Sequence, residues 1–145
     1  MKFGPITTGI VADGLVFNMD AANRSSYVPN NTKTYNTLDT SQYGSWEGAP
    51  TFQSTATGSY WNFDGIDDWI RVADSQFPSS RSAFTIEAWV KFTNSGAGDN
   101  YDNIWLQDPS FQIARQQSTH KISVFTGSNS PGTSADMLPN NNIWY

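Results

Sequence analysis

Strict alternation over residues 83–92 constrains this chain more than any other feature. In Ala83-Phe84-Thr85-Ile86-Glu87-Ala88-Trp89-Val90-Lys91-Phe92, one parity is Phe84, Ile86, Ala88, Val90 and Phe92, and the other is Thr85, Glu87, Trp89 and Lys91. A period of two belongs to a β-strand with one apolar face, so this segment is expected to be a central strand with the Phe84, Ile86, Ala88 and Val90 row in the core. A charge at Ile86 in that setting would be buried without a partner and would abolish folding. No stretch keeps a 3.6-residue apolar period for three turns, and only two glutamates occur, Glu47 and Glu87. Strands must carry the fold.

Further strands are expected at 15–19, 60–63, 69–72, 104–107, 111–115 and 121–126. Turn clusters rich in Gly, Asn, Asp and Pro separate them, among them Pro29-Asn30-Asn31, Asp64-Gly65-Ile66-Asp67-Asp68 and Gly127-Ser128-Asn129-Ser130-Pro131-Gly132. The stretch 63–70 reads as a hairpin, with Gly65 free to take a positive φ and aspartates placed to hold the turn amides. The polar, weakly patterned region 24–42 reads as a long surface loop. Many short strands joined by such turns describe an all-β antiparallel sandwich, a jelly roll. At 145 residues the chain is one domain's worth. We divide it into an extended arm over 1–12 and a domain over 13–145.

Composition removes several function classes. A net charge of −5 with eight Lys and Arg argues against nucleic acid as a partner, because affinity for a phosphate backbone scales with the cations that displace counterions. Cysteine is absent and His120 is the single histidine, which leaves no disulfide framework, no thiolate nucleophile and no multi-histidine zinc site. No window approaches the length of a spanning helix, so membrane insertion is not expected, and Met1-Lys2-Phe3-Gly4-Pro5 is not followed by the apolar stretch of a secretory signal. Six Trp, six Tyr and nine Phe supply enough apolar area for a core.

Four ordered blocks resemble a known family: Gly14-Leu15-Val16-Phe17-Asn18-Met19-Asp20-Ala21-Ala22-Asn23, Gly48-Ala49-Pro50-Thr51-Phe52, Asn62-Phe63-Asp64-Gly65-Ile66-Asp67-Asp68-Trp69-Ile70 and Phe84-Thr85-Ile86-Glu87-Ala88-Trp89-Val90-Lys91. In order and spacing they are similar to laminin-G-like, concanavalin A-like jelly-roll domains of the kind found in structural proteins of tailed bacteriophages. The resemblance covers residues 11–145. It implies a virion protein without catalytic residues, a capsid decoration, neck or tail-fibre component, assembled in the host cytoplasm. Its implied partners are other virion proteins, copies of itself in a symmetric assembly, and host-surface polysaccharide. Resembling domains continue from a pair like Trp144-Tyr145 into several more strands. The 13–145 domain is therefore expected to be the N-terminal portion of a longer one, completed by further strands or by a partner chain.

Candidate sites follow from side-chain chemistry. Glycan binding needs exposed aromatic faces beside hydrogen-bonding groups, and Trp89, Trp105 and Trp61 are the candidates. Calcium is a candidate structural ion, with Asp99 and Asp102 ahead of the cluster Asp64, Asp67 and Asp68, because neither loop follows an EF-hand pattern and turn geometry accounts for the second. No other cofactor is expected. In the 1–12 arm, Phe3, Ile6 and Ile10 are apolar residues placed to dock on a neighbouring protein. A bacterial carbohydrate-binding module or lectin, which would be extracellular, is the alternative reading. Glycoside hydrolysis is the weaker one, since Glu87 is followed at two-residue steps by Trp89 and Lys91 and not by a second carboxylate. His120 lies in a polar segment with no recognisable triad around it and reads as a surface histidine.

Overall fold

A computed structural model describes residues 13–77, 84–93, 101–107, 111–126, 132–133 and 141–145. Among them the architecture is all-β and antiparallel. The strands are β1 (Lys33–Tyr35), β2 (Tyr43–Glu47), β3 (Thr51–Thr55), β4 (Gly58–Asn62), β5 (Trp69–Val72), β6 (Tyr101–Gln107), β7 (Phe111–Gln116), β8 (Ile122–Thr126) and β9 (Gly132–Thr133). One short 3-10 turn, Asp74–Gln76, interrupts them. The 1–12 arm lies outside the described residues, and Phe3, Ile6 and Ile10 with it. The chain divides into two compact units, one formed by 1–63 with 68–81 and the other by 64–67 with 82–145.

The first unit holds a three-stranded sheet in the order β1-β2-β5 and the hairpin β3-β4. The hairpin closes through Ala56 and Thr57, with Thr55 opposite Gly58 and the Thr55 hydroxyl donating to the Gly58 carbonyl at 2.8 Å. Tyr27 joins the two sheets: its ring stacks on Phe52 of β3 at 3.9 Å between centroids and on Trp46 of β2 at 5.7 Å. Where β2 meets β5 the sheet is tight. Gly44 lies opposite Val72 and is buried, and a methyl group there would run into Ile70 Cγ2 and stand 3.3 Å from Val72 Cγ2.

Much of this unit's interior is polar. Region 24–42, expected to be a surface loop, instead contains β1 and the fully buried Ser26, Thr34 and Asn36. Hydrogen bonds explain why such residues can be covered. Asn36 Oδ1 accepts from the amides of Asn18 (3.0 Å) and Leu38 (3.1 Å), and its Nδ2 donates to Val16 O (3.2 Å) and Gln42 Oε1 (2.7 Å). The Ser26 hydroxyl donates to Tyr35 O (2.6 Å) and accepts from the Asp20 amide (3.0 Å), while Thr34 Oγ1 accepts from Trp46 Nε1 (2.7 Å). The same bonds decide the fate of 15–19. Among the described residues it forms no strand: the Asn36 side chain takes up the Asn18 amide and the Val16 carbonyl, and a single backbone bond, from the Thr37 amide to the Asn18 carbonyl at 2.9 Å, stands in place of a ladder.

The stretch 63–70 is not a hairpin. β4 pairs with β3 and β5 pairs with β2, so residues 63–68 connect two sheets of different partners. The local chemistry of the turn is nonetheless as expected: Gly65 has φ +78°, and Asp64 Oδ1 accepts from the amides of Ile66 (2.8 Å) and Asp67 (3.3 Å).

In the second unit β6, β7, β8 and β9 form an up-and-down antiparallel sheet, with a register shift on β6 between Asn103 and Trp105. Direct cross-strand neighbours share a face. Asp102, Arg115 and Ile122 therefore stand on one side, and Asn103, Ala114 and Ser123 on the other. Ala114, Arg115 and Ser123 are all buried, so the centre of β7 is covered on both sides.

Residues 84–92 lie against the Arg115 side: the Phe84 ring meets Phe111 edge-on at 5.0 Å, and the Phe92 ring lies 4.6 Å from the Arg115 guanidinium carbon. This is not the central strand that the alternation predicts. Among the described residues only its end is paired, through a bridge between Lys91 and Trp144 and two backbone bonds between Val90 and Tyr145 (2.9 and 3.0 Å). Phe84 remains 54% exposed and Ala88 is exposed, whereas Ile86, Val90 and Phe92 are half-buried. The pattern sets which parity faces the sheet; burial also needs neighbours on both edges, and the paired residues begin only at Val90.

Candidate functional site

The solvent side of 84–92 carries the residues of greatest chemical interest. Thr85, Glu87 and Trp89 are exposed, and the Trp89 indole at 82% is the most open large aromatic side chain among the described residues. Lys91 ends the row, with its Nζ 5.5 Å from the centroid of the Trp144 ring. An indole, a carboxylate, a hydroxyl and an ammonium thus lie along one parity. Such a row can stack on a flat apolar face and hydrogen-bond or ion-pair at its flanks.

Beneath the opposite parity lies a charged centre. Arg115 is 1% exposed; its Nη2 donates to Asn141 Oδ1 at 2.8 Å and its Nη1 stands 3.5 Å from Asp102 Oδ2. Gln117 Nε2 donates to Asp102 Oδ1 at 3.0 Å. Arg115 Nε and Asp102 Oδ2 are buried without a hydrogen-bond partner, so the ion pair acts through space and not through a hydrogen bond. Asp102 is therefore a counter-ion to a buried guanidinium, and its companion Asp99 lies outside the described residues. Nothing in the composition singles out Arg115. The one available signal is its register, two and four residues on from Ile113 and Phe111, in line with an apolar row.

The other aromatic candidates occupy different settings. Trp61 is half-buried on β4 of the first unit, opposite Phe52, with its Nε1 buried and unpartnered. Trp105 is half-buried on β6 just after the register shift. Trp89 belongs with Trp105 to the second unit and Trp61 to the first.

The carboxylates of Asp64, Asp67 and Asp68 offer oxygens within 4.8 Å of one another. Two of the three already hold backbone: Asp64 as described, and Asp68 by accepting from the Ala49 amide at 2.6 Å. His120 lies in the turn between β7 and β8 at φ +57°, half-buried, with its amide donating to Gln116 O at 2.8 Å. The Asp39 carboxyl is held below its ordinary value of 3.8, first by the Ser41 hydroxyl at 2.7 Å and then by the Ser41 amide at 2.9 Å.

No protein-family model, curated protein or solved structure matches the chain. No described helix is long and apolar enough to cross a membrane.

Proposed function

We propose that this chain is a non-enzymatic structural protein of a tailed-phage virion, a jelly-roll β-sandwich module of the capsid, neck or tail that binds other virion proteins. The four ordered sequence blocks support the virion setting. The observation that carries the association role is the exposure of Trp89 and Phe84 on adjacent parities of one segment, since open aromatic area of this kind is what protein contacts cover. Mass spectrometry of purified particles tests the reading: the chain is expected in the virion at a fixed copy number, hundreds of copies for a capsid decoration and dozens or fewer for a neck or tail component. Particles that lack it overturn the proposal.

Trp89 also favours a second reading, attachment to host-surface glycan, because an open indole beside Glu87 and Thr85 supplies a stacking face and hydrogen-bonding groups for a sugar ring. Retention on immobilised host polysaccharide, lost in Trp89→Ala, is the expected result. Equal retention of the variant overturns it.

A further inference from the structure

Cross-strand register puts the odd-numbered residues of β1, β2 and β5 on one side of their sheet and the even-numbered ones on the other. The even side is interior: Thr34 and Gly44 are buried, and Trp46 stacks on Tyr27. The odd side is open. Lys33, Ser45 and Arg71 stand in one cross-strand row, and Glu47 and Trp69 in the next. Trp69 is 52% exposed and Arg71 is exposed, while Lys33, Ser45 and Glu47 are half-buried. Lys33 Nζ lies 3.8 Å from the centroid of the Tyr43 ring, which sets the ammonium on this side of the sheet with N–H groups left to donate. Among the described residues the Arg71 guanidinium and the Glu47 carboxylate have no ion-pair or side-chain hydrogen-bond partner.

We infer that this face binds a uronic-acid polysaccharide, with a sugar ring stacked on the Trp69 indole and a carboxylate over Ser45, between Arg71 and Lys33. The planar guanidinium matches a carboxylate in two parallel hydrogen bonds, and the Ser45 hydroxyl adds a donor beside it. Lys33 and Arg71 are two strand spacings apart, about 10 Å at the backbone, a gap that two long side chains can close on one anion. Glu47 gives the ligand a direction. It repels the acid group and accepts from sugar hydroxyls, so the carboxylate lies toward Ser45 and the hydroxyl-bearing side toward Glu47. A neutral sugar would cover Arg71 and Lys33 without pairing their charge. A single-stranded nucleic acid also offers rings and anions, but its successive phosphates would meet Glu47 and a chain of net charge −5.

This site lies in the first unit and is independent of the Trp89 row in the second. Titration calorimetry of the full chain with polygalacturonate is the test. Binding is expected, weakened by added salt and at least tenfold weaker with the same polymer methyl-esterified, which keeps the rings and removes the charge. Arg71→Gln and Trp69→Ala are each expected to weaken it about tenfold with thermal melts unchanged, because both side chains are open to solvent. Arg71→Lys, which keeps the charge and loses the fork, is expected to recover only part of the affinity.

Equal binding of the esterified and free polymers overturns the inference, as does an affinity that survives Arg71→Gln. In the latter case, loss in Trp89→Ala would place the glycan on the other row. Tighter binding of a single-stranded oligonucleotide than of polygalacturonate, or no binding of polygalacturonate at low salt, overturns it as well.

Discussion

Arg115 and Asp102 face each other directly across β7 and β6, with Nη1 and Oδ2 3.5 Å apart and the guanidinium almost wholly covered. A buried cation with one counter-ion, one hydrogen bond to the Asn141 side-chain oxygen and a phenyl face from Phe92 is a unit whose parts are not interchangeable. Removing the carboxylate strands the charge. Asp102→Ala is expected to destabilise the chain by about 3 to 5 kcal/mol in urea unfolding. Arg115→Met, which keeps the length and removes the charge, is expected to cost clearly less. Equal losses would show that the pair is not the source of the effect.

Gly44 has no room for a side chain. Gly44→Ala would press a methyl group on Ile70 and Val72, and overpacking of this kind costs about 1 to 3 kcal/mol. The combination Gly44→Ala with Ile70→Val is expected to recover part of the loss in thermal melts, because shortening Ile70 loosens the crowded site. No recovery would place the strain in the backbone.

Asn36 satisfies four polar groups at zero exposure. Asn36→Ala leaves Asn18 N, Leu38 N, Val16 O and Gln42 Oε1 short of a partner, so a loss of about 3 kcal/mol or more is expected. Hydrogen exchange should rise at the Asn18 and Leu38 amides in particular. A uniform rise across the sheets would indicate global loosening instead.

Asp39 offers a pH readout. Its folded value is depressed, so the stabilisation it gives is fully present above the unfolded value and is lost as pH falls through the folded one. Carbonyl NMR is expected to show Asp39 titrating below 3.8, and Ser41→Ala to bring it back toward that value. An unchanged midpoint in the variant would remove the Ser41 hydroxyl as the cause.

Strands with apolar alternation were legible from residues alone: 69–72 matches β5, and 111–115 and 121–126 match β7 and β8 to within a residue at one end. Region 24–42 was not, because what it buries is Ser26, Thr34 and Asn36, whose burial is made tolerable by hydrogen bonds that no hydropathy pattern records. The 63–70 hairpin failed for a different reason. Nothing local tells β5 to choose β2 over β4, since that choice is made by long-range register. At the candidate site the parity of Trp89 and Glu87 was legible, while the Arg115–Asp102 centre beneath needed the sheet to bring the two residues face to face.

The interior of the first unit has a thermal consequence. Exposing apolar surface raises the heat capacity of the unfolded chain and exposing polar surface lowers it. A unit that buries Ser26, Thr34 and Asn36 together with its aromatics releases both kinds on unfolding, and the two contributions oppose each other. Its stability curve should therefore be broader and flatter with temperature than that of an equally large hydrocarbon-filled domain, with less weakening on cooling.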